Sequence, residues 1–125
     1  MPTQQTACEL CSRQEAVLEN ELAYVRHDNH SLSHGHVLVV PKRHVASFFD
    51  MTAKEQSAVL GLLAEIQKSI HKQHSPDGYN IGVNVGKAAG QSRMHVHVHL
   101  IPRYKGDVAD PRGGIRCVLS RSGLA

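Results

Sequence analysis

The chain contains one segment long enough to serve as a crossover helix, and that narrows its fold more than any other feature. Thr52-Ala53-Lys54-Glu55 has capping-box spacing: the threonine hydroxyl can accept from a first-turn amide while the glutamate reaches back. Apolar residues then recur at Val59, Leu62, Leu63, Ile66 and Ile70, the spacing of one helical face. The pattern predicts a helix to about His74, ended before Ser75-Pro76-Asp77-Gly78. Four short runs around it have strand character, at 21–27, 36–40, 79–85 and 95–102. Parallel pairing needs a long crossover for each strand pair, which one helix cannot supply. The expected class is therefore α+β: an antiparallel sheet, one long helix, and a short amino-terminal helix or turn over Arg13–Asn20.

At 125 residues the chain fits one domain with a single core. A net charge of +3 favours a phosphate-bearing ligand, and no run of five like charges exists to form a basic arm, so nucleic acid is not an expected partner. No apolar stretch approaches the ~20 residues of a membrane span, and the polar Met1–Gln5 start does not read as a secretory signal. Three cysteines do not suit a disulfide scaffold, so a reducing, cytoplasmic setting is expected.

Histidine is the compositional outlier, with ten copies. His95-Val96-His97-Val98-His99-Leu100 alternates at the strand period, which puts three imidazoles on one face and the apolar residues on the other. Neutral imidazoles offer nucleophile, proton donor and metal ligand near pH 7. The preceding loop, Gly86 to Ser92, is rich in small residues whose amides can approach an anion.

These blocks together resemble the histidine-triad (HIT) superfamily of nucleotide hydrolases and transferases. The resemblance rests on Gly90-Gln91-Ser92-Arg93-Met94-His95-Val96-His97-Val98-His99-Leu100-Ile101-Pro102-Arg103, with Gly35–His44 and Asn80–Gly86 upstream in the same order. It implies a HIT-like fold: residues 1–20 as an amino-terminal segment, 21–104 as the core and 105–125 as an extension of the kind seen in bacterial members. It implies that His97 attacks the α-phosphorus of a nucleotide to form a covalent nucleotidyl-imidazole, while His99 and His36 complete the catalytic group. Gln91 is expected to position phosphate or leaving-group oxygen, with Asn84 and Ser92 adding hydrogen bonds and Asp28 holding the ribose hydroxyls. Arg93 departs from the small apolar residue expected there, and either adds charge near the leaving group or points outward. The resemblance further implies a purine nucleotide or nucleotide conjugate as substrate, no organic cofactor, and a homodimer to which the long helix contributes.

Cys8-x-x-Cys11 has no strand before it, so a redox motif fits poorly. In bacterial relatives such a pair binds structural zinc, and the resemblance supplies His44 and His95 as the other two ligands. Two thiolates and two imidazoles make a closed tetrahedral shell that would clamp the amino-terminal segment and add folding free energy. Cys117 is expected to be a small buried hydrophobe.

The leading expectation is thus a hydrolase or transferase cleaving at the α-phosphate of a dinucleoside polyphosphate or nucleoside phosphoramidate. The alternatives are a metal-dependent hydrolase with His95, His97 and His99 around an ion, weakened by the lack of an acidic ligand in that strand, and a nucleotide-binding protein without turnover.

Overall fold

The structure is a computed structural model that describes residues 8–119. The ends of the expected amino-terminal segment (1–7, with the polar start) and carboxy-terminal extension (120–125) lie outside the described residues.

Five strands form one antiparallel sheet: β1 (Leu18–Glu19), β2 (Ala23–His27), β3 (Val37–Pro41), β4 (Gly78–Val83) and β5 (Val98–Arg103), in the order β1-β2-β3-β5-β4. The helix α1 spans Ala53–His74, between β3 and β4. Its capping box forms as read: Glu55 N–H donates to Thr52 Oγ1 at 3.0 Å, and Thr52 N–H donates to Glu55 Oε1 at 2.9 Å. Ser75 ends it in the left-handed conformation, with φ +49°. The short amino-terminal helix is a single 3-10 turn at Glu9–Cys11 rather than at Arg13–Asn20, where β1 forms instead. There Leu18 is drawn into register with Val25, and sheet pairing outweighs the weak helical pattern.

The sheet's alternation separates core from site. Val59, Leu62, Leu63, Ile66 and Ile70 of α1 pack on Ala23, Val25, Val37, Val39, Val98 and Leu100. On the opposite face Tyr24, Leu38 and Val40 gather a smaller cluster with Leu10 of the amino-terminal turn, and the Tyr24 hydroxyl donates to the Leu10 carbonyl at 2.6 Å. Arg26, Leu38 and His99 stand in one cross-strand row on that second face. The turn into β3 depends on Gly35 (φ +92°), where a Cβ would lie 3.2 Å from His74 and Ile70 side-chain atoms.

Arg43, just beyond β3, is fixed by a fork. Its Nε and Nη2 each donate to a Glu55 oxygen at 2.8 Å, so the strand exit is tied to the first turn of α1. This pairing, opposed by burial, holds the Glu55 carboxyl down at about 2 against an ordinary 4.5. A depressed folded value stabilises fully above about pH 4.5, and that contribution is lost as pH falls towards 2. Arg43→Ala is expected to cost about 1–3 kcal/mol at pH 7, because it leaves a buried carboxylate behind but removes a half-exposed partner. Urea titrations at pH 7 and pH 3 check this: the gap between wild type and variant should narrow at pH 3, and a constant gap contradicts the assignment.

Candidate functional site

The triad does not lie wholly on a strand. Ladder pairing begins at Val98, and His95 sits in a bend before it, fully buried (0% exposed) like its neighbour Val96. Val96 N–H donates to the Val45 carbonyl at 2.8 Å, which diverts the chain from the strand. His95 still keeps the alternation, since Val96 packs in the core with Val98 and Leu100. Its ring lies with Cys8, Cys11 and His44, whereas His97 and His99 line a cleft of about 250 Å³ on the second face of the sheet. His95, His97 and His99 do not gather around one point; the ligand-type cluster at the cleft is Asp28, His36 and His99.

Proton positions in the cleft follow from partners that can only donate or only accept. His97 Nδ1 is 2.8 Å from the His95 carbonyl oxygen, so Nδ1 carries the hydrogen and Nε2 keeps the lone pair. Leu32 N–H donates to His36 Nδ1 at 3.0 Å, which puts the His36 proton on Nε2. That Nε2–H faces His99 Nδ1 at 3.0 Å and Asp28 Oδ2 at 3.2 Å. With its Nδ1 accepting, neutral His99 carries its own proton on Nε2. Burial pushes the His36 imidazole below its ordinary value, with Asp28 opposing. His99 is lowered by burial and then by His97 and His36. Both rings are therefore neutral at pH 7. The arrangement offers one imidazole lone pair beside one imidazole N–H donor, as nucleophilic attack on an anion requires.

The other expected residues divide. Asp28, Asn84 and Ser92 line the cleft. Asp28 also accepts from His30 N–H at 2.9 Å through Oδ1, so one of its oxygens serves the loop and the other serves His36. Gln91 does not reach the cleft. It is 4% exposed, both amide hydrogens go to carbonyls (Ala46 at 2.7 Å, Arg93 at 2.9 Å), and its oxygen accepts from Gly86 N–H at 2.8 Å. A catalytic contact by Gln91 is thus corrected to a positioning one: it clasps the loop that precedes the triad. Within the small-residue loop the amides of Gly86, Ala89, Gly90 and Gln91 are bonded internally. Arg93 lines the cleft and pairs with Glu9. Cys117 is exposed, not buried, on a 3-10 turn (Gly114–Val118) next to β4.

Sequence reasoning missed the wall formed by the amino-terminal turn and β2. Glu9, Leu10, Arg26 and Asn29 all line the cleft. One signal was present: Arg26 is a charged residue following Ala23, Tyr24 and Val25 in β2, at a position facing the site.

A second cluster adjoins the first. Cys8 Sγ lies 3.4 Å from His95 Nδ1, and Cys11 Sγ lies 3.2 Å from His44 Nδ1 and 3.6 Å from His95 Nδ1. A tetrahedral zinc shell with Zn–S of about 2.3 Å and Zn–N of about 2.0 Å has sulfur–nitrogen edges of roughly 3.5 Å, so the donor set fits that ion. His95 Nε2 donates to the Pro41 carbonyl at 2.8 Å, leaving Nδ1 unprotonated towards the sulfurs. Burial, then the neighbouring Cys8, pushes the Cys11 thiol up to about 11, and a cation between the sulfurs would favour the thiolate instead. Among the described residues no helix is long and apolar enough to cross a membrane.

Comparison with known proteins agrees with this geometry. The HIT domain profile matches residues 11–106. The chain is 42% identical over 76 residues to the asymmetrical bis(5'-nucleosyl)-tetraphosphatase of Schizosaccharomyces pombe, a match covering 61% of this chain and 42% of that protein. It is 34% identical over 92 residues to the AP-4-A phosphorylase of Mycobacterium tuberculosis, covering 73% of this chain and 47% of the relative. The chain thus spans less than half the length of these two curated relatives. Among solved structures, a Zn-bound histidine triad family protein from Mycobacterium smegmatis superposes with a TM-score of 0.73 at 27% identity, covering 95% of this chain and 94% of that one.

Proposed function

The chain belongs to the HIT domain family, and from that premise we propose that it is a nucleotidyl hydrolase or transferase working through a covalent intermediate on His97. The observation that carries the reading is the hydrogen bond from His97 Nδ1 to the His95 carbonyl, which fixes the ring and leaves Nε2 as its free nitrogen in the cleft. In the first step Nε2 bonds to the α-phosphorus and the bond from phosphorus to the leaving oxygen breaks, its electron pair departing with the leaving group. A polyphosphate leaves as an anion and needs no proton at pH 7. The ring gains one positive charge, spread towards the Nδ1–H held by His95. His99 donates through Nε2–H to a phosphate oxygen, and His36 and Asp28 fix its tautomer from behind. Asn84 and Ser92 hydrogen-bond the leaving side, and Asp28 borders the ribose.

In the second step water, or inorganic phosphate in a phosphorolytic enzyme, attacks the same phosphorus and the nitrogen–phosphorus bond breaks. The S. pombe relative is named as a tetraphosphatase and the M. tuberculosis relative as a phosphorylase, which supports a dinucleoside polyphosphate as substrate and leaves both acceptors to be tested. Cys8, Cys11, His44 and His95 would hold zinc in a closed structural shell, where the ion supplies fixed geometry to the segment carrying His95. The likeness to the Zn-bound M. smegmatis protein supports this choice of metal.

Hydrolysis in 18O-labelled water tests the site of cleavage. One labelled oxygen is expected in the nucleoside monophosphate and none in the polyphosphate product. Label in the polyphosphate product would place attack away from the α-phosphorus and overturn the reading.

A further inference from the structure

We infer that Glu9, pinned by Arg26 and Asn29, reads the base of the bound nucleotide and selects guanine over adenine; this rests on the nucleotide reading above. The cross-strand row Arg26, Leu38, His99 fixes the scale. Adjacent strands lie about 4.8 Å apart, so Arg26 stands on the order of 10 Å from the phosphate-binding His99. That is the reach of a nucleoside from its phosphate to the edge of its base. Leu38 lies between them and packs with Leu10, giving the cleft an apolar surface for a planar ring.

Beyond that surface the cleft ends in polar groups. Glu9 Oε2 accepts from Asn29 Nδ2 at 3.2 Å and lies 3.5 Å from the Arg26 guanidinium, while Oε1 pairs with Arg93. Arg26 is 4% exposed, whereas the Glu9 side chain keeps 39% of its surface open. An ionised carboxylate offers about four acceptor positions; Asn29 takes one on Oε2 and Arg93 one on Oε1, while Arg26 at 3.5 Å is an ion pair only, so one position on each oxygen stays open. The two arginines also offset its charge, which keeps the cleft acceptable to a phosphate.

Guanine presents two donors side by side, N1–H and the N2 amino group, which a carboxylate matches with its two oxygens. Adenine presents the N6 amino group beside the N1 lone pair, so one carboxylate oxygen would face a lone pair. The carboxylate therefore attracts one purine and repels part of the other, which is how a site discriminates rather than merely binds.

Calorimetric titration of the full chain with GMP, AMP and IMP tests this. GMP is expected to bind about tenfold or more tighter than AMP, the scale of one two-point base contact. IMP, which lacks the N2 amino group, should fall between them. Glu9→Gln replaces one acceptor by a donor and should bring GMP and AMP to within about twofold of each other, chiefly by loss of GMP affinity. Asn29→Ala releases the carboxylate on one side and should reduce the preference without abolishing it. Equal GMP and AMP affinities in the wild type, or a preference unchanged in Glu9→Gln, would overturn the base reading while leaving the nucleotide reading standing. Failure of all three nucleotides to bind would overturn both.

Discussion

His97→Ala is expected to lower kcat on a dinucleoside polyphosphate by about 10⁴-fold or more, some 5–6 kcal/mol of barrier, while nucleotide affinity changes little. The size follows from what is removed. The lone pair on Nε2 is the only group in the proposed mechanism that bonds to phosphorus, and its alignment comes from the His95 carbonyl at 2.8 Å. His99 and His36 remain in place, held by their own contact at 3.0 Å and by Leu32, so phosphate should still bind. Steady-state kinetics together with nucleotide titration separate the two effects. A loss confined to KM would mean that His97 binds substrate rather than attacking it.

Removal of metal is the other large effect. With the Cys8, Cys11, His44 and His95 donors filled, the Glu9–Cys11 turn is tied to the sheet; without the ion, two thiols and two imidazoles face one another at 3.2–3.6 Å. Leu10 rides on that turn and is 2% exposed, so release of the turn also exposes about 1.5–3 kcal/mol of buried side chain. The larger cluster between α1 and the sheet contains no part of the turn and should persist. Chelation is therefore expected to cost about 3 kcal/mol or more, a fall in Tm of roughly 10–20 °C without loss of the helix signal. Cys11→Ser should show a lowered Tm that chelator no longer changes. Elemental analysis of the purified chain should find one zinc per chain. An unchanged Tm on chelation would contradict the clamp.

The two effects meet at His95. Its side chain belongs to the cysteine cluster and its carbonyl orients His97, so the proposed clamp and the proposed nucleophile share one residue. A chelated protein should lose turnover more steeply than nucleotide affinity.

Much of this architecture was legible from the residues. The cap at Thr52, the spacing of Val59 to Ile70 and the Ser75-Pro76 stop located the helix to its ends, because short-range signals set those features. Alternation located β2, β3 and β5 to within a few residues. It started β5 three residues early, at His95, because Val96 N–H bonds to Val45 outside the ladder and no local pattern records such a partner. Gln91 was misassigned for a related reason. A polar residue next to a histidine triad reads as a ligand contact, but three backbone groups of its own and a neighbouring loop had already claimed it. The wall of Glu9, Leu10 and Arg26 left only Arg26 as a trace, because it forms only when residues 8–11 fold back over the sheet, a tertiary contact across some 15 positions of sequence.

The covalent intermediate is the central claim, and intact-protein mass spectrometry reaches it most directly. Wild type, His97→Ala and chelator-treated protein would each be quenched within seconds of mixing with a dinucleoside polyphosphate. One added nucleotidyl mass on the wild type, absent from His97→Ala and formed more slowly but not abolished after chelation, is the predicted result. Turnover without any adduct, abolished by chelator, would contradict covalent catalysis and assign the chemistry to a metal instead.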